Sequence, residues 1–166
     1  MKNLIDSLCT YHAPGVFNPW SDYDEQCDIS PEAPDIRCRQ LQDYLEPRLS
    51  RARILLIAEA AGYQGCRFTG IPITCERMLL DEHKQISSAI ILGRRGERTS
   101  RPDCPFMTSR PQQEKGMNEP TDTYVWGAVV DNGMDPQDVL LWNIFPFHPH
   151  KKSPFSHRTP SDTELA

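Results

Sequence analysis

No run of about 18 apolar residues occurs in this 166-residue chain, which excludes an ordinary membrane-spanning helix. The N-terminus, Met1-Lys2-Asn3-Leu4, lacks the apolar stretch of a secretory signal. A cytoplasmic protein with no membrane partner is therefore expected. No two of the six cysteines (Cys9, Cys27, Cys38, Cys66, Cys75 and Cys104) are spaced C-x-x-C, the pattern of the common zinc and iron–sulfur frameworks. Unpaired thiols, no metal and no cofactor are the expectation. A metal or redox protein built on scattered cysteines stays open as an alternative. The sequence also has no internal repeat and no low-complexity tract.

Proline is abundant: 15 of 166 residues, about 9% against a usual figure of about 5%. The chain is thus rich in loops and is no helical bundle. A hydrophobic content of 38% still provides for a core. The net charge of −5 argues against a coat protein for nucleic acid, but the charge is uneven. Residues 1–46 hold 3 basic and 9 acidic groups, whereas residues 84–115 hold 7 basic and 3 acidic ones.

Residues 1–34, with Pro14, Gly15, Pro19, Pro31 and Pro34, read as an irregular N-terminal arm with a short helix at Leu4–Thr10. Asp35 can cap a helix over Ile36–Leu45, which Pro47 then interrupts or restarts as a new first turn. The run Ile54-Leu55-Leu56-Ile57 predicts a strand buried on both faces, hence a parallel sheet covered by helices. Thr74 can cap a helix through Leu80. Residues 93–118 read as a basic loop insertion. Thr121 can cap a helix over Asp122–Asn132 with Tyr124, Val125, Ala128 and Val129 buried, and Gly133 can end it. A second strand is expected at Val139–Ile144, and Ser161 can cap a last helix. The alternation implies an α/β fold whose ligands bind beyond the carboxyl ends of the strands.

Two segments sit at those strand ends: Ile57-Ala58-Glu59-Ala60-Ala61-Gly62 through Gly70-Ile71-Pro72, and Leu141-Trp142-Asn143-Ile144-Phe145-Pro146-Phe147-His148-Pro149. The first resembles the G-E-A-P-G motif of a bacterial branch of the uracil-DNA glycosylase superfamily, with its following G-I-P-F-T-S-E. The second resembles that branch's N-x-F-P-x-H-P segment, and Arg158-Thr159-Pro160 is similar to its link into the next helix. The likeness spans residues 17–166. It implies a three-layer α/β/α sandwich around a central parallel sheet, here a single partial domain incomplete at its C-terminus. The family's closing His-Pro-Ser type loop has no counterpart in these residues, which implies slow cleavage or none. It further implies self-association through an uncovered edge on the Val139–Ile144 strand.

The implied activity is hydrolysis of the N-glycosidic bond of uracil flipped out of DNA, in base excision repair, with uracil-containing DNA as partner. A non-catalytic DNA-binding remnant of the family is the alternative. By resemblance Glu59 orients the water, and Ala60, Gly62, Phe68 and Asn143 hold the base. The Asn143 amide offers both donor and acceptor and so separates uracil from cytosine. Arg94, Arg95, Arg98, Arg101 and His148 are candidates for contacts to phosphate. Taken alone, Glu59 can equally cap a turn, Asn143 can bond its own loop, and the arginines can lie on a solvated loop.

Overall fold

In the computed structural model, which describes residues 2–165, the chain runs α1 (Lys2–Cys9), β1 (Val16–Phe17), α2 (Ala33–Arg48), β2 (Ile54–Ala60), α3 (Cys66–Thr69), α4 (Glu76–Leu79), α5 (Ser88–Leu92), α6 (Arg110–Lys115), α7 (Pro120–Asp131), a 3-10 turn at Pro136–Asp138, β3 (Val139–Phe145), β4 (His148–Pro149) and α8 (Asp162–Leu165). The class is mixed α/β. β2 and β3 pair in parallel, from Ile54 beside Val139 to Ala60 beside Phe145. β1 and β4 form a separate antiparallel pair.

Helix boundaries follow the prolines. α2 starts at Ala33 with Pro34 in its first turn, ahead of the predicted Asp35 cap. Pro47 does not interrupt it. The helix ends one residue later, and Leu49 still donates to the Leu45 carbonyl at 2.9 Å. α7 likewise starts on Pro120, with Glu119 rather than Thr121 at the N-cap. Its buried face is Asp122, Trp126 and Val129, an i, i+4, i+7 stripe. Tyr124, placed in that stripe by the sequence, is 78% exposed.

The two strands are not buried alike. On one face of the pair Val139, Leu141 and Phe145 join a core with Leu41, Leu45, Trp126 and Val129. On the other, Leu55 is 55%, Ile57 59% and Ile144 65% exposed. The expectation that Ile54–Ile57 is buried on both faces is therefore wrong. An apolar run permits burial on two faces, but among the described residues β2 has one neighbouring strand, and even Ile54 and Leu56, on the face shared with Leu141, are 40% exposed.

The open edge also lies on the other strand from the one expected. The outer edge of β3 is closed by side chains of α2. Tyr44 Oη accepts the Leu141 N–H at 2.7 Å and donates to the Leu141 carbonyl at 3.3 Å. Arg48 Nε donates to the Val139 carbonyl at 3.1 Å, and its Nη1 to Tyr44 and Ile91 carbonyls. No such contact covers the outer edge of β2 among the described residues.

The N-terminal segment is packed down, in contrast to the predicted irregular arm. Trp20 donates to the Gly70 carbonyl at 3.1 Å. Buried Arg37 pairs with buried Asp28 at 2.8 Å and also holds the carbonyls of Pro19 and Asp22. Residues 93–118 contain α6, and Cys104, Met107 and Met117 from this stretch form a second core cluster with Cys27 and Phe68. The Cys27 and Cys104 thiols lie 3.2 Å apart and those of Cys9 and Cys38 3.9 Å apart. Among the described residues no helix is long and apolar enough to cross a membrane.

Replacing Tyr44 by Phe is expected to destabilise the fold by about 1–3 kcal/mol, because the Leu141 N–H would stay buried without a partner. Urea unfolding measures this, and a loss too small to resolve would show that the edge needs no hydroxyl.

Candidate functional site

Strand geometry decides which candidates can meet. Successive side chains alternate between faces. Asn143 is beside Ala58, and Phe145 beside Ala60, so Ala60 shares the packed face with Asn143. Glu59 falls between them on the opposite face, exposed with Leu55 and Ile57. The fold therefore does not bring Glu59 and Asn143 together.

Asn143 is 1% exposed, and its Oδ1 has no hydrogen-bond partner among the described residues. An uncompensated buried amide is costly, which sets this residue apart from an asparagine that stabilises its own loop. Beyond it the two strand ends are stitched together, with Ala61 N–H shared between the carbonyls of Phe145 at 3.3 Å and Phe147 at 3.2 Å.

The loop after β2 runs through Gly62 and Gly65 into α3. A Cβ at Gly62 would lie 2.7 Å from Glu119 Oε2. One at Gly65 would lie 2.6 Å from that oxygen and 2.9 Å from Asp122 Oδ2. Either side chain would have to displace a carboxyl group, which is the local reason for glycine here. Asp122 is fully buried, and neither of its oxygens has a partner. Burial, and then the neighbouring Glu119 charge, push the Asp122 carboxyl well above its usual range; burial raises Glu119 too. Two carboxyl groups converging on one point titrate as a unit. Sequence reasoning missed this pair. Its signal was an aspartate one turn before Trp126 on an apolar helix stripe.

Behind the loop, Ile73 adopts φ +51°, a conformation rare for a β-branched residue. Trp126 Nε1 donates to the Ile73 carbonyl and to Thr74 Oγ1, both at 3.1 Å, and so holds this turn.

The remaining candidates serve the fold. Phe68 is wholly buried and meets Phe155 edge to face, so it has no free ring face for a base. His148 is wholly buried and cannot meet a phosphate directly. Its Nε2–H donates to the Ser156 carbonyl at 2.9 Å, and Nδ1 faces Arg67 Nη1 at 3.4 Å. Burial, then the Arg67 charge, push its pKa down to about 2, so the ring is neutral. Arg67 in turn pairs with Asp24 at 2.6 Å and lies 3.7 Å from the Phe17 ring centre.

Arg94 pairs with Asp43, and the two line a cleft with Gln137 just before the amino end of β3, away from Asn143. Arg95 holds the Leu80 carbonyl, and Arg98 holds the carbonyls of Ser100, Gln112 and Gln113. Arg101 holds Asp103 and the Glu25 carbonyl. Another cleft, of about 440 Å³, is lined by Arg77, Lys84, Lys115 and His83 with Glu82. Asn118 and Thr123, which bracket the acid pair in sequence, also line it. No protein-family model, curated protein or solved structure matches the chain.

The acid pair gives stability a definite pH dependence. The Asp122 pKa is raised on folding, so the folded state holds more protons than the unfolded one. This contribution is greatest below the unfolded value of 3.8 and is lost as pH rises through the folded one. Asp122→Asn removes the buried charge and lets an amide donate to Glu119. Its melting temperature should exceed the parent's by more at pH 8 than at pH 5. A pH-independent difference would mean that Asp122 does not titrate in this range.

Proposed function

We propose that this chain recognises uracil in DNA at the carboxyl ends of β2 and β3, as a uracil-DNA glycosylase-like protein whose chemistry is hydrolysis of the N-glycosidic bond. The observation that carries the reading is Asn143: a buried amide at a parallel-strand end whose acceptor has no partner within the protein. Uracil presents an N–H beside a carbonyl, and one amide side chain satisfies both. Cytosine, with an amino group in place of that carbonyl and no proton on the ring nitrogen, matches it poorly. Ala60 and the Gly62–Gly65 loop would bound the base, since Ala60 ends β2 beside this strand end and the loop follows it directly.

Recognition is better supported than turnover. Glu59, the residue matched to the water-orienting role, lies on the face away from Asn143. Phosphates would be met in the cleft of Arg77, Lys84 and Lys115, where Lys115 pairs with Glu82 at 3.1 Å, Arg77 holds the Gly116 carbonyl, and Lys84 has no ion pair among the described residues. The arginines of residues 94–101 are held by internal carbonyls and carboxylates.

Two assays test this reading. Fluorescence anisotropy with a single-stranded oligonucleotide should show salt-sensitive binding that favours uracil over cytosine or thymine at one position. Asn143→Ala should remove that preference, a loss of about 1–3 kcal/mol. Lys84→Ala should weaken binding to all sequences alike and flatten the salt dependence by about one unit of slope. Release of free uracil, followed by chromatography, then separates a glycosylase from a binding protein. Equal binding to uracil and thymine oligonucleotides, unchanged in Asn143→Ala, would overturn the proposal.

A further inference from the structure

Two buried thiols meet at the seam between the N-terminal segment and residues 93–118. Cys27 is wholly buried and Cys104 is 2% exposed, and their sulfurs lie 3.2 Å apart. Backbone hydrogen bonds on both segments fix that approach. Arg101 N–H donates to the Cys27 carbonyl at 2.8 Å, and Ile29 N–H to the Thr99 carbonyl at 2.7 Å. Asp28 and Ser100 form an antiparallel bridge between these two bonds. The Glu76 carboxylate anchors the second segment, accepting from the backbone N–H groups of Thr99 and Ser100 and from the Ser100 hydroxyl. The gap of 3.2 Å exceeds the disulfide bond length of about 2.05 Å by roughly 1 Å.

The two sulfurs are unlike. Cys104 opens a tight turn in which Met107 N–H donates to the Cys104 carbonyl at 2.9 Å. The Cys27 thiol, then the Phe106 and Met107 backbone N–H groups, stabilise negative charge on the Cys104 sulfur and bring its pKa down to about 7. The same contact, then burial, push the Cys27 thiol up. A nucleophilic thiolate therefore faces a thiol that keeps its proton, the division of labour between an attacking and a resolving cysteine. Cys9 and Cys38 contrast with this pair. Their sulfurs lie 3.9 Å apart, each donates to the Trp20 carbonyl at 3.4 Å, and burial, then the Cys9 charge, push Cys38 up to about 12.

We propose that Cys27 and Cys104 are a reversible oxidation site, which hydrogen peroxide converts to a disulfide that staples the N-terminal segment to residues 93–118. Cys104 lies directly beneath a surface turn, with Pro102, Asp103 and Pro105 exposed, so a small uncharged oxidant suits it. The Cys104 thiolate attacks one peroxide oxygen. The O–O bond breaks, a sulfenic acid remains on Cys104, and the departing hydroxide takes up a proton as water. Cys27 then gives up its proton, and its sulfur attacks that of Cys104. The S–S bond forms as the S–O bond breaks, and a second water leaves. Two thiols are oxidised and one peroxide is reduced to two waters. The site is separate from the uracil reading, because neither thiol stands at the strand ends of β2 and β3.

The test uses hydrogen peroxide in small molar excess on the reduced full chain at pH 7, with thiols mapped by differential alkylation and mass spectrometry. Cys27 and Cys104 should disappear together as one intramolecular disulfide, ahead of the more exposed Cys9 and Cys38, and dithiothreitol should restore both. The oxidised chain should melt several degrees above the reduced one, since a cross-link between residues 77 positions apart restricts the unfolded chain. Cys27→Ala should leave a sulfenic acid at Cys104 that dimedone traps, and Cys104→Ala should give no dimedone adduct at Cys27. Oxidation that starts at Cys9 and Cys38 overturns the proposal. So does trapping at Cys27 in place of Cys104, or an oxidised chain that melts no higher than the reduced one. Cys27 and Cys104 that stay reduced while Met107 and Met117 gain oxygen overturn it as well.

Discussion

The closure of β3 by α2 sets the arrangement of this molecule. A lone parallel pair leaves two outer edges whose N–H and C=O groups need partners. On β3 the Tyr44 hydroxyl both accepts from and donates to Leu141, and the Arg48 guanidinium holds the Val139 carbonyl. Two side chains one turn apart on α2 thus take the place of a third strand. They bring the helix against the edge of the sheet and bury Val139 and Leu141 with it. β2 has no equivalent helix, and this asymmetry leaves an apolar strand in water.

Two buried arginines tie the N-terminal segment to the body. Arg37 pairs with Asp28, and Arg67 with Asp24. Buried charges of this kind are tolerated because each guanidinium also holds carbonyls or an aromatic ring. Arg67 reaches on to His148, whose ring then fixes the Ser156 carbonyl. The loop after β3 and the first helix after β2 are held by one chain of contacts. The histidine that the motif suggests for phosphate is consumed in building it.

At the strand ends, polar groups without partners gather around glycine. Glu119 and Asp122 occupy the space that side chains at positions 62 and 65 would fill, and Asn143 sits beside Ala58 with its acceptor free. Among the described residues, Asn143 and Asp122 keep buried oxygens without a hydrogen-bond partner. The residues that look functional by type, such as Phe68 and the arginines of 94–101, have their bonding or packing completed within the fold.

Much of this was legible in the chain. Proline and the apolar runs located α2, α7, β2 and β3 within a few residues, because φ restriction and strand hydrophobicity are local properties. Asn143 stood out because an amide directly after Val-Leu-Leu-Trp contrasts with its neighbours. Sequence alone therefore determined the order of these four elements, the parallel pairing and the placing of an amide at a strand end. Tertiary structure alone decided that Glu59 and Asn143 look in opposite directions, that Asp122 is buried beside Glu119, and which strand keeps an open edge. These depend on register and on side chains reaching across from elements 50 or more residues away, such as Tyr44 to Leu141, 97 positions apart. No local pattern encodes a contact at that separation.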